Sequence, residues 1–191
     1  SLTELEDLYL PFKPKRKTKA SIAIEKGLEP LAIVIYDQSS VDLKKIALSY
    51  IDKEKGLNTL DEVLQGARDI VAEWISENSQ IRETMRNLFI KEAFITSKVK
   101  RDKKESVSKY EIYFDASEKL NRVPSHRLLA MLRGEEEGFL SLSIKPDSER
   151  AIRMLEKFTL KDRNTCSYQV KVATADAYQR LLQPQMETEM R

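Results

Sequence analysis

The feature that most constrains this chain is one apolar stripe. Leu60, Val63, Leu64, Ala67, Ile70, Val71, Trp74 and Ile75 recur at offsets of three and four, which lines them along one face of an α-helix. Just ahead of the stripe, Thr59 and Glu62 fit a capping box, in which a hydroxyl and a carboxylate satisfy amides that a helix start leaves free. A stripe of this length has to be covered by other elements. We therefore assign it to the packed interior of a bundle and not to a groove for a partner.

The neighbouring segments read as the cover. Thr3 and Glu6 suggest a capped first helix that Pro11 and Pro14 halt. Ile22, Ala23 and Ile24 lead to Gly27, a left-handed cap, and Pro30 opens the next helix through Leu31, Val34 and Ile35. Leu43, Ile46, Ala47, Tyr50 and Ile51 form a further face closed by Gly56, and Asn78 or Ser79 caps a helix carrying Ile81, Met85, Leu88 and Phe89.

Residues 98–108 are mostly charged and read as an exposed connection, followed by Tyr110, Tyr113 and Phe114 at helical spacing. Ser125 is expected to cap a short helix that leaves at Gly134. Phe139, Leu140, Leu142 and Ile144 alternate with Ser141 and Ser143 as an extended run whose pairing strand is expected elsewhere in a parent protein. A helix opens at Asp147 or Ser148, and another, from about Ala173 to Gln183, is expected to end before Pro184.

The expected fold class is mainly α: an irregular multi-helix bundle with one short extended segment, cut from a larger multidomain protein. Residues 1–97 form its first bundle, 98–108 a basic connection and 109–191 a second helical group.

Composition narrows the function. With 41% hydrophobic and 34% charged residues and only 5 Gly and 6 Pro, the chain is a folded, helix-rich one and not a disordered one. Its 33 Lys and Arg face 31 Asp and Glu, a net charge of +2, so any pull on a polyanion must come from local clusters. One cysteine, Cys166, and one histidine, His126, exclude an internal disulfide and a Cys/His zinc site and suit a reducing cytoplasm. No stretch approaches about 18 consecutive apolar residues, so no membrane span is expected.

Lys13, Lys15, Arg16, Lys17 and Lys19 crowd a short segment beside Tyr9 and Phe12, a grouping able to neutralise phosphates beside an aromatic ring. Arg127, next to His126 near a helix start, is a further phosphate candidate. Lys98, Lys100, Arg101, Lys103 and Lys104 are diluted by Asp102 and Glu105 and read as a solvated connection. Cys166 and His126 lack a nucleophile elbow or an oxyanion hole around them. Glu135, Glu136 and Glu137 are adjacent residues pointing in different directions, unsuited to a two-metal site. No cofactor, metal, small-molecule substrate or catalytic residue is expected.

Several segments resemble one family in order along the chain. Leu5-Glu6-Asp7-Leu8-Tyr9-Leu10-Pro11-Phe12-Lys13-Pro14-Lys15-Arg16-Lys17-Thr18 is similar to the segment that opens the helical region of Tex transcription accessory proteins, continued from Ala23 to Leu31. Gly66-Ala67-Arg68-Asp69-Ile70, Val123-Pro124-Ser125-His126-Arg127 with Arg133-Gly134 and Glu137-Gly138, and Ala177-Tyr178 with Glu187-Thr188-Glu189 extend the resemblance. It implies a cytoplasmic multidomain protein related to a eukaryotic elongation factor. The implied further domains are ribonuclease-H-like, helix-hairpin-helix and a C-terminal oligonucleotide-binding fold, none of which lies in this chain. The implied role is a non-catalytic module that binds RNA or DNA weakly and without sequence preference, with the transcription machinery as a further partner. The alternative is a protein–protein scaffold that positions the nucleic-acid-binding domains.

Overall fold

The structure is a computed structural model that describes residues 1–12, 17–105 and 108–191, with only the backbone of Phe12 described. In chain order the elements are α1 (Leu2–Tyr9), α2 (Lys19–Glu25), α3 (Glu29–Asp37), α4 (Leu43–Leu48), α5 (Leu60–Glu77), α6 (Ser79–Glu92), β1 (Phe94–Val99), β2 (Asp115–Lys119), α7 (Ser125–Glu136), β3 (Leu140–Lys145), α8 (Ser148–Thr159), α9 (Thr165–Asp176) and α10 (Gln183–Met190). A π-helical segment, Ala177–Leu182, joins α9 to α10. The mainly helical class expected from the sequence is what the chain adopts.

Packing divides the chain into two compact units that interleave in sequence: residues 1–83 with 152–182, and 84–151 with 183–191. The linear division at residues 98–108 rests on composition and does not anticipate this interleaving.

In the first unit α5 is the hub. Val63, Ala67, Ile70, Val71 and Ile75 are fully buried, and α2, α3, α4 and α9 pack around them. Burying each of the valine and isoleucine side chains contributes about 1.5–3 kcal/mol. Thr59 Oγ1 accepts from the Glu62 amide at 3.2 Å, as the sequence pattern predicts, but the Glu62 carboxylate reaches the Asn58 amide at 2.8 Å instead of closing on Thr59. Gly66 allows close approach: a Cβ there would stand 2.4 Å from Leu28 Cδ1, which is fully buried.

The capping box of α1 is Ser1 with Glu4, not Thr3 with Glu6. The helix is moored by a polar contact, since Asp7 and Arg82 are both buried and meet at 2.7 Å. Arg82 also donates to the Ser76 carbonyl at 3.2 Å, which helps offset the cost of burying the guanidinium. Leu2, Leu5, Leu8 and Tyr9 face solvent.

The end of α3 is set by Gln38, a non-glycine residue at φ 58°, ψ 33°. Its side chain explains why that uncommon conformation persists. Nε2 donates to the Thr159 carbonyl at 2.6 Å, and Oε1 accepts from the Lys161 amide at 2.8 Å and the Asp162 amide at 3.3 Å. The Gln38 carbonyl in turn accepts from Asn164 Nδ2 at 2.7 Å. One residue thereby fixes the whole α8–α9 loop.

The second unit holds a three-stranded antiparallel sheet in the order β2-β1-β3. The extended run at Leu140 is a strand, as expected. Its partner lies within this chain and not elsewhere: Ile95 stands opposite Ile144, and Ser97 opposite Leu142. Strand β1 leaves little trace in the sequence because inward Ile95 is followed by an inward serine, and β2 because it is polar apart from Ala116. Ser97 is fully buried but polar, its hydroxyl satisfied by the Tyr113 carbonyl at 2.6 Å, and the sequence of β2 is Asp-Ala-Ser-Glu-Lys. Tyr110 and Phe114 flank, and Tyr113 ends, a short 3-10 turn, not an α-helix.

Three further expectations are corrected. Helix α7 is capped by Pro124 and Ser125 is its first residue. Gly134 lies inside that helix, buried where a Cβ would meet Leu140 Cδ1 at 2.4 Å, and the left-handed exit is Gly138 at φ 87°. The last helix does not stop before Pro184, because the wider π turn just upstream removes the regular i−4 bonding that proline would break.

The outer side of β3 is taken up by side chains. Glu135 Oε2 accepts from the Leu142 amide at 3.2 Å, Glu187 Oε1 accepts from the Ile144 amide at 2.9 Å, and Arg191 Nη2 donates to the Leu142 carbonyl at 3.1 Å.

Replacing Gln38 separates its two contributions. Gln38→Ala keeps the strained φ and strands buried amide partners, a loss of about 1–3 kcal/mol. Gln38→Gly relieves the strain and loses the same bonds, so urea denaturation is expected to rank stability as wild type, then Gly, then Ala.

Candidate nucleic-acid interface

Of the expected phosphate contacts, Lys13, Lys15 and Arg16 lie outside the described residues. The start of α2, immediately downstream, is well defined. Thr18, extended at φ −120°, ψ 171°, caps α2 by accepting from the Ser21 amide at 3.1 Å, while Ser21 Oγ accepts from the Thr18 amide at 2.7 Å. This reciprocal cap sets Lys17 and Lys19 on either side of a fixed residue, both exposed. Neither is held in an ion pair among the described residues. Lys19 also stands on the rim of a cleft of about 620 Å³, where Lys26 and Arg68 are balanced by Asp61, Glu62 and Asp69.

Arg127 has a different environment. Its Nε lies 3.0 Å from Glu118 Oε2 and its guanidinium lies 5.2 Å from the centre of the Tyr113 ring. A phosphate would have to displace that carboxylate. His126 beside it is exposed. In the diluted cluster, Lys103 rests 5.5 Å over the Phe139 ring, and Lys98, Lys100, Arg101 and Lys104 are exposed.

A further group of cations has no clustering in the sequence that would mark it. Lys161 and Arg163 are exposed on the loop that Gln38 holds, and Lys171 stands three residues after exposed Tyr168 on α9. The i, i+3 spacing of Tyr168 and Lys171 is visible in the sequence, but their meeting with the loop depends on Gln38, more than 120 residues away.

Cys166 is fully buried at the start of α9, and burial, with the Asp37 charge as a smaller contribution, pushes its thiol up from the ordinary value. Such a thiol is kept in its unreactive protonated form. Among the described residues no group of three or more His, Cys, Asp or Glu side chains is arranged to hold a metal, and no helix is long and apolar enough to cross a membrane.

Fold and site together define a helix-dominated, two-unit module that carries unpaired surface cations, two of them beside the exposed ring of Tyr168. Residues 38–191 match the Tex central region-like family, and the chain belongs to the Tex family. It is 40% identical to YdcI of Bacillus subtilis (strain 168) over 193 aligned residues, covering 100% of this chain and 27% of that protein. It is 41% identical over 143 residues to the transcriptional accessory protein Tex of Neisseria gonorrhoeae, covering 75% of this chain and 19% of that protein. The S1 RNA-binding domain-containing protein 1 of Homo sapiens is 29% identical over 149 residues, covering 74% of this chain and 15% of that protein. The chain therefore spans between about a seventh and a quarter of the length of these relatives.

The environment of Cys166 makes a pH prediction. The unfolded thiol ionises near about 8.5 while the folded one stays protonated, so its contribution to stability is complete below that pH and is lost as pH rises through the raised folded value. Urea midpoints at neutral and alkaline pH are expected to fall more for wild type than for Cys166→Ala, and a thiol-specific dye is expected to label the unfolded chain far faster than the folded one.

Proposed function

We propose that this chain is a non-catalytic module of a cytoplasmic transcription accessory protein, and that it contacts RNA or DNA through phosphates without reading bases. The contacts are Lys13, Lys15, Arg16, Lys17 and Lys19, with Arg127 contributing where a phosphate replaces Glu118. The observation that supports this reading is the pair of exposed, unpaired cations, Lys17 and Lys19, fixed about the α2 cap at the end of a basic segment. The names of the relatives, a transcriptional accessory protein and an S1 RNA-binding domain-containing protein, agree with it. Lysine and arginine on a flexible stem bind the charge of the backbone, so affinity is weak, falls steeply with salt and is indifferent to sequence.

A second reading is a scaffold that docks on the transcription machinery or positions other domains. It is favoured by the outward-facing apolar residues of α1, with Leu2 74%, Leu5 63% and Leu8 63% exposed.

Anisotropy titration of labelled single- and double-stranded oligonucleotides at two salt concentrations separates them. Binding that weakens with salt and is lost in the folded Lys15→Ser, Arg16→Ser, Lys17→Ser variant supports phosphate contact. Absence of binding at low salt leaves the scaffold.

A further inference from the structure

Tyr168 is 64% exposed, a large ring that no packing requirement places in solvent. It stands on α9 between two clefts of about 650 and 780 Å³, and it lines both. The larger cleft is also lined by Leu160, Asp162, Arg163, Asn164 and Lys171. On that side of the ring, then, are two cations, Arg163 and Lys171, against the one carboxylate of Asp162. Neither is held in an ion pair among the described residues. Lys161 rests 5.7 Å over the Tyr36 ring and remains exposed. The loop carrying Lys161 and Arg163 is held in place, because Gln38 bonds the backbone at Thr159, Lys161 and Asp162 and the side chain of Asn164.

An exposed ring flanked by unpaired cations on a preset backbone is the arrangement that binds a single-stranded polynucleotide, with a base stacked on the ring and adjacent phosphates on the cations. A protein partner would have to bring carboxylates to Arg163 and Lys171 and a flat group to Tyr168 at once, which adjacent phosphates and a base of one strand supply together. A duplex keeps its bases stacked on each other and has none to offer the ring.

We infer that Tyr168, Arg163 and Lys171 form a binding site for single-stranded nucleic acid, separate from the basic segment at Lys13–Lys19. This inference rests on the reading that the chain contacts nucleic acid at all, and it adds selection of single over double strands.

The test titrates the 191-residue chain with a labelled oligouridine of about 12 nucleotides and a DNA duplex of the same length. Tyr168→Ala is expected to weaken oligouridine binding roughly tenfold or more and to leave duplex binding unchanged, while Tyr168→Phe retains both. Arg163→Ser and Lys171→Ser are each expected to reduce the salt slope for the single strand by about 0.7. A 4-thiouridine oligonucleotide is expected to crosslink within residues 161–171, which decides the matter independently should Tyr168→Ala melt early by circular dichroism.

Unchanged oligouridine affinity in folded Tyr168→Ala, or crosslinks confined to other segments, overturns the site. Loss of binding in the Lys15, Arg16, Lys17 variant alone keeps phosphate contact by the basic segment and overturns the site at Tyr168, and loss in Tyr168→Ala alone does the reverse. No binding of either oligonucleotide at low salt overturns both.

Discussion

The burial of one face of α5 is the constraint on which the first unit depends. Val63, Ala67, Ile70, Val71 and Ile75 reach full burial only if α2, α3, α4 and α9 lie against them, and α9 comes from the far end of the chain. The hydrophobic effect has no directional preference, so the stripe alone does not say which helices cover it. Direction comes from polar contacts at the periphery. The Asp7 and Arg82 pair moors α1, and Gln38 ties the end of α3 to the loop before α9. Each buries groups that would be costly if unpaired, so each tolerates few alternative arrangements.

The parts of this fold legible in the sequence are those whose signal is local. The stripe from Leu60 to Ile75, the left-handed Gly27 and the proline opening α3 are written into short spans, and the structure has each of them in place. The strand at Leu140 is legible because Leu140, Leu142 and Ile144 all turn inward. Its neighbours are not, because a buried serine and a strand of mixed polar residues carry no alternation of hydropathy. Helix termini depart from expectation where a competing contact wins: Gly134 serves close packing against Leu140, and Pro184 is accommodated by the π turn.

The candidate contacts divide in the same way. Charge clustering along the chain marks Lys13 to Lys19, and the cap at Thr18 gives two of those residues a defined setting. Arg127 is marked by its place near a helix start, and that signal does not reveal Glu118, nine residues earlier in sequence, which stands against its Nε. The loop that brings Arg163 beside Tyr168 is held through Gln38, and long-range closure of that kind leaves no mark in a window of neighbouring residues.

The side chains along the outer margin of β3 have a consequence for the behaviour of the molecule in a crowded solution. An open strand margin is a template on which other chains can add and polymerise. Here the Leu142 and Ile144 amides and the Leu142 carbonyl are already engaged by Glu135, Glu187 and Arg191. The β3 margin of this short sheet is thus closed by carboxylates and a guanidinium drawn from α7, α10 and Arg191, and an added strand would have to displace those charge-assisted bonds before it could pair there.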